Sequence, residues 1–195
     1  MKNLQRIAIT TIISFLLIAC FGDKNTVIGQ EFGDTSFINK DFTGNKVAFS
    51  ALPKNMCTYI SETNVMKHYP DAKKMLVDDG LTFQSKSCRF LVYMDDQEYN
   101  YLSGSIFAAE DVLAEGEKWE ETWELKKMTS KSSEYITGLG KTAIWIGKKR
   151  ELLIKMEGYT ITIMVPGSTF KNEEVAKNRD YKKIGIAIAK STGLF

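Results

Sequence analysis

Ala143-Ile144-Trp145-Ile146, Leu152-Leu153-Ile154-Lys155-Met156 and Tyr159-Thr160-Ile161-Thr162-Ile163-Met164-Val165 are three apolar runs separated by Gly147-Lys148-Lys149-Arg150 and Glu157-Gly158. β-Branched and aromatic residues dominate the runs, and both gaps carry turn chemistry. The stretch 138–165 therefore predicts a three-stranded antiparallel meander. In the last run Ile161, Ile163 and Val165 alternate with Thr160, Thr162 and Met164, which predicts one buried face and one partly open face.

Upstream, Leu81 to Tyr93 reads as a strand centred on Cys88-Arg89-Phe90-Leu91-Val92-Tyr93, Asp95-Asp96 as a turn, and Tyr99 to Phe107 as the return strand of a hairpin. Ala109 to Met128 predicts a long amphipathic helix: Val112, Leu113, Trp119, Trp123 and Leu125 are set among five glutamates, with Gly116 a weak point in its middle. Earlier still, Ser61 is the expected N-cap of a helix running to about Tyr69. Pro70 opens a second helical stretch, Asp71 to Val77, closed by Asp78-Asp79-Gly80. Helical spacing returns between Asp180 and Ser191, through Ile184, Ala187 and Ile188, in a helix expected to lie across the sheet. Helices bracket and interrupt the strands instead of alternating with them. The expected class is α+β, with a mainly antiparallel sheet (hairpin plus three-stranded meander) covered by helices over a single globular domain, 52–195.

The N-terminus has a separate character. Lys2 and Arg6 precede an uncharged run, Ile7 to Ala19, that is too short for the ~20 residues of a membrane-spanning helix. It ends in Leu17-Ile18-Ala19-Cys20. This resembles the lipobox of bacterial lipoprotein precursors. The resemblance implies a signal peptide over 1–19 cleaved before Cys20, a diacylglycerol on the Cys20 thiol, and acylation, typically palmitate, anchoring the protein to the membrane. Phe21 is not the aspartate associated with inner-membrane retention, so the expected address is the outer membrane where the source has one, at the periplasmic face or cell surface. Without residues 1–19, 176 of the 195 residues remain, with 24 basic and 24 acidic side chains. A neutral mature chain offers no charge argument for nucleic acid. Residues 20–51 read as a lipidated N-terminus and tether. The phenylalanines at 32, 37, 42 and 49 are too apolar for a solvated linker and predict that part of this arm is docked.

With Cys20 taken by lipid, Cys57 and Cys88 are left as an even pair in an oxidising compartment, and a disulfide is expected. A metal pair would need further ligands, and the sole histidine, His68, is only one. The cysteine before a first helix, the second cysteine at a strand start, the turn Gly138-Leu139-Gly140-Lys141-Thr142-Ala143 and the amphipathic last helix together resemble uncharacterised families of small bacterial lipoproteins. Such proteins often have a helix-covered antiparallel sheet somewhat like the PsbP/Mog1 type of α/β/α sandwich. The resemblance brings no catalytic residue.

Other motifs carry no chemistry. Gly140-Lys141-Thr142 echoes the end of a P-loop, but Tyr135 stands where its first glycine belongs and a strand follows where a helix is needed. No Gly-x-Ser-x-Gly elbow accompanies His68. Asp95, Asp96 and Glu98 lack the ligand spacing of a calcium loop. Glu120, Glu121 and Glu124 form a solvated helix face, and Trp119, Trp123 and Trp145 are assigned to core packing rather than a ligand cleft. No cofactor or metal is expected. Two functional classes remain: a non-catalytic binding or interaction module of the cell envelope, and a hydrolase-like envelope enzyme relying on His68 and carboxylates.

Overall fold

The three runs of the meander form strands, and they occupy one half of a larger sheet. The structure, a computed structural model, describes residues 33–78, 86–167 and 178–195. Among these residues seven strands are found: β1 (Lys74–Asp78), β2 (Lys86–Tyr93), β3 (Tyr101–Glu110), β4 (Ser133–Ile136), β5 (Thr142–Ile146), β6 (Glu151–Lys155) and β7 (Tyr159–Gly167). They are ordered β1-β2-β3-β7-β6-β5-β4, and every neighbouring pair is antiparallel. Two meanders thus run inward from opposite edges and meet where β3 pairs with β7. Among the described residues three α-helices accompany them: α1 (Glu62–Met66), α2 (Trp119–Met128) and α3 (Tyr181–Ser191). The fold is α+β, an antiparallel sheet covered by helices.

The connection from β3 to β4 explains much of the architecture. It must travel from the middle of the sheet to its far edge, and it carries α2 over one face of β5 and β6 on the way. A small core forms there, where Trp123 and Phe37 meet Ile144 and Ile146. The opposite face holds the main core. Cys88, Phe90 and Val92 of β2, Ile106 of β3, Ile161 and Ile163 of β7, and Leu152 and Ile154 of β6 all point into it. There α3 packs closely at Gly185, where a Cβ would lie 3.0 Å from Val165 and 3.3 Å from Trp145. Leu52, Met56 and Val65, from the segment around α1, complete that core.

Several expectations need correction. Asp71 to Val77 is not helical: residues 74–78 form β1, because pairing with β2 satisfies five consecutive residues and turns Met75 inward, which a two-turn helix beside Pro70 would not. The helix expected over 109–128 begins only at Trp119. Ala109 and Glu110 instead extend β3 against Thr160 and Tyr159, and Gly116 takes φ 84° in the turn that precedes α2. The helix after Ser61 ends at Met66, although Ser61 does cap it by accepting from Asn64 N–H. Strand β4, marked by no strong apolar alternation, is built on β5. The threonine face of β7 is less open than expected. Thr160 and Thr162 are buried, and Met164 alone on that face is exposed, at 38 %. Residues 79–85, including Gly80 and the start of the strand expected from Leu81, lie outside the described residues, as do residues 1–32 with Cys20 and Phe32.

The rest of the arm docks without joining the sheet. Phe37 stacks on Tyr135 with ring centroids 4.6 Å apart. Asn39 binds the turn before β5, its Nδ2 donating to Gly140 C=O and its backbone N–H to Lys141 C=O. Asn45 pairs with both backbone groups of Glu157, and Tyr159 OH donates to Val47 C=O. Phe42, Val47 and Phe49 then pack on the main core, so the arm rounds the end of the sheet from one face to the other.

Candidate functional site

Cys57 and Cys88 are joined in a disulfide, with Cα atoms 4.8 Å apart and a sequence separation of 31. The bond fixes the turn Met56–Tyr59 to β2, beside a parallel bridge between Asn55 and Ser87. This is a staple, not a reactive centre: Cys88 points into the main core.

The residues considered for catalysis are dispersed. His68 follows α1, and its side chain makes no hydrogen bond or ion pair among the described residues. Asp96 pairs with Lys73, while Asp95 accepts from Gln97 N–H and Asn100 Nδ2 within the β2–β3 turn. Among the described residues no three His, Cys, Asp or Glu side chains gather where they could hold a metal ion. Gly140 sits in a turn with φ 56°, where a Cβ would lie 2.4 Å from Lys155 C=O, which accounts for the glycine without any phosphate. No helix among the described residues is long and apolar enough to cross a membrane.

The concave feature of interest was not marked by any motif. Between α2 and the sheet lies an open cleft of about 280 Å³. Its floor is Thr160 and Thr162 of β7 with Leu153 and Lys155 of β6, and its wall is Trp119, Thr122, Trp123 and Lys126 of α2. Phe107 of β3 and the loop residues Val112 and Leu113 form the apolar approach. Helix α2 is placed by its own chemistry: Glu120 and Glu121 in the first turn and Lys126 and Lys127 in the last complement its dipole. Trp119 and Trp123, four residues apart, then face the sheet together. Trp145 is in the main core and Trp123 is 2 % exposed, as core packing requires, yet Trp119 and Trp123 also line the cleft.

Two lysines in this cleft have different standing. Lys155, only 4 % exposed in its side chain, forms an ion pair with Asp111 and donates to Met156 C=O at 3.0 Å. Thr160 Oγ1 donates to the other Asp111 oxygen at 2.9 Å, so the buried pair is fully engaged. Lys126 has no such partner. Its ammonium lies 5.2 Å from the centre of the Trp123 ring and forms no ion pair or hydrogen bond among the described residues. Burial holds its pKa below the ordinary lysine value; Asp111 opposes that shift and Lys155 reinforces it. No protein family, curated protein or solved structure matches this chain, and the cleft has to be read on its own geometry.

Proposed function

We propose that the protein is a bacterial lipoprotein, held to the membrane by acyl chains on Cys20, and that its domain is a non-catalytic binding module of the cell envelope. The observation that carries the binding role is the cleft under α2, a concavity in which apolar side chains from α2, the sheet and the 112–113 loop meet convergent polar and charged groups, as in ligand sites. The basic residues Lys2 and Arg6, the short uncharged run and Leu17-Ile18-Ala19-Cys20 support the anchor and the cleaved signal peptide, and Phe21 in place of aspartate supports the outer-membrane address. Two or more acyl chains hold a protein stably where one does not. The disulfide suits an exported protein.

The enzyme reading has less to stand on, because His68 lacks the orienting carboxylate that a general base of the triad type requires. Radiolabelled palmitate incorporation tests the anchor. Wild type should be labelled and Cys20→Ser should not, and equal labelling would end the lipoprotein reading. For the module itself, crosslinking in intact cells should recover the same ligand or partner from wild type and His68→Ala.

A further inference from the structure

We infer that the cleft under α2 binds a medium-chain monocarboxylate, with the carboxylate at Lys126 and the apolar body on Phe107, Val112, Leu113 and Leu153. The inference rests on the reading of the domain as a binding module and specifies its ligand.

The charge balance of the cleft sets the sign and number of charges. Lys155 and Asp111 neutralise each other, and Thr160 occupies the second carboxylate oxygen. That leaves one ammonium, Lys126, partly withdrawn from water and without an anion. Glu110, the other acid lining the cleft, is exposed and forms no ion pair with Lys126. One unmatched cation calls for one negative charge. A dianion such as a phosphate monoester would gain the same single partner and place its second charge near Asp111. A ligand cation would meet Lys126 and Lys155, with Asp111 already engaged by Lys155 and Thr160 and with Glu110 turned to solvent. The polar complement of the lining is modest: Thr160 already donates to Asp111 and Thr122 to Lys118 C=O, which leaves the Thr162 hydroxyl beside the ammonium charge as the donor open to a ligand carboxylate.

The walls set the rest of the molecule. Exposed Phe107, Val112 and Leu113 line the cleft and offer apolar surface to the body of a ligand. At about 30 Å³ for each water-sized group, the 280 Å³ cleft takes roughly nine or ten heavy atoms. An eight-carbon carboxylate has about that size. The side chains of Trp119 and Trp123 line the helix side, and the buried Lys155–Asp111 pair keeps the floor charged but compensated.

The test uses the intact mature chain titrated with octanoate, octanol, octyl phosphate and octylammonium, followed by calorimetry and tryptophan fluorescence. Trp119 and Trp123 line the cleft, whereas Trp145 lies in the main core and serves as a silent reference in single Trp→Phe variants. Octanoate should bind most tightly, shift the fluorescence of Trp119 or Trp123, and lose about tenfold or more in affinity in Lys126→Met. Lys126→Arg should retain binding, and Lys190→Met, which removes an exposed cation from α3 on the other face of the sheet, should leave it unchanged. Octanol equal to octanoate, or an affinity indifferent to Lys126→Met, overturns the carboxylate while leaving the cleft as a binding site. Tighter binding of octyl phosphate or octylammonium overturns the monoanion. If none of the four ligands perturbs Trp119 or Trp123, the cleft as a ligand site falls as well.

Discussion

Lys155 at the end of β6 and Asp111 just beyond β3 form an ion pair with 4 % and 17 % of their side chains exposed, and β7, which lies between their strands, contributes Thr160 to the same carboxylate. Three adjacent strands are thus tied at one point where neither charge has adequate water. Removing one partner strands the other. Asp111→Asn should lower unfolding free energy by roughly 3 kcal/mol in urea titrations, near the low end of the cost of breaking a buried pair because Asp111 keeps some solvent. Lys155→Met combined with Asp111→Leu should cost less than the two single changes together. Strict additivity would show that the pair does not act as a unit.

The disulfide closes 31 residues between Cys57 and Cys88. Loop-closure entropy gives it roughly 3–4 kcal/mol, so reduction of wild type, or Cys57→Ala with Cys88→Ala, should lower the denaturation midpoint by that equivalent. Dithiothreitol should leave the double variant unaffected.

Gly140 combines a left-handed φ of 56° with Lys155 C=O at 2.4 Å from a Cβ position. Gly140→Ala should therefore cost about 1–3 kcal/mol from backbone conformation alone, with the clash against Lys155 adding to it. Gly138, also at positive φ but with open space around it, should cost less on the same substitution. Equal losses in thermal unfolding would show that the contact with β6 is unimportant.

Asp180 caps α3, and the hydrogen bond from Lys183 N–H is the main cause that holds its carboxyl below the ordinary value of 3.8. A depressed folded pKa means that the stabilisation is present above the unfolded value and fades as pH falls through the folded one. At neutral pH Asp180→Ala should cost about 0.5–1 kcal/mol, as suits an exposed cap. The difference should narrow below about pH 4, and Asp180→Asn should remove most of the pH dependence while keeping the cap.

The elements legible in the sequence are those whose pattern is their own. Strands β5, β6 and β7 are continuous apolar runs between turn residues, and α3 carries its Asp180 cap and its apolar repeat within twelve residues, 180–191. Strands β1 and β4 lie at the two edges, where hydrogen bonds offered by β2 and β5 outweigh weak local preference. In 109–118 the pull of β7 on Ala109 and Glu110 overrides a helical pattern. The cysteine pair could be found by counting. The cleft could not, because Lys126, Lys155 and Asp111 come from a helix, a strand and a loop brought together only by the crossover of α2. The spacing of Trp119 and Trp123 was its one visible trace.

The arm and the disulfide also determine how the domain would bear tension. A pull at residue 33 reaches Phe37 and its stacked Tyr135 first, then the bonds of Asn39, and then the paired bonds between Asn45 and Glu157. These links lie in series and yield one after another, absorbing work before the covalent bond at Cys57 is loaded. Past Cys57 the covalent bond shunts the load directly into β2, so the span from Thr58 to Ser87 lies on a slack bypass that force from the N-terminus cannot extend.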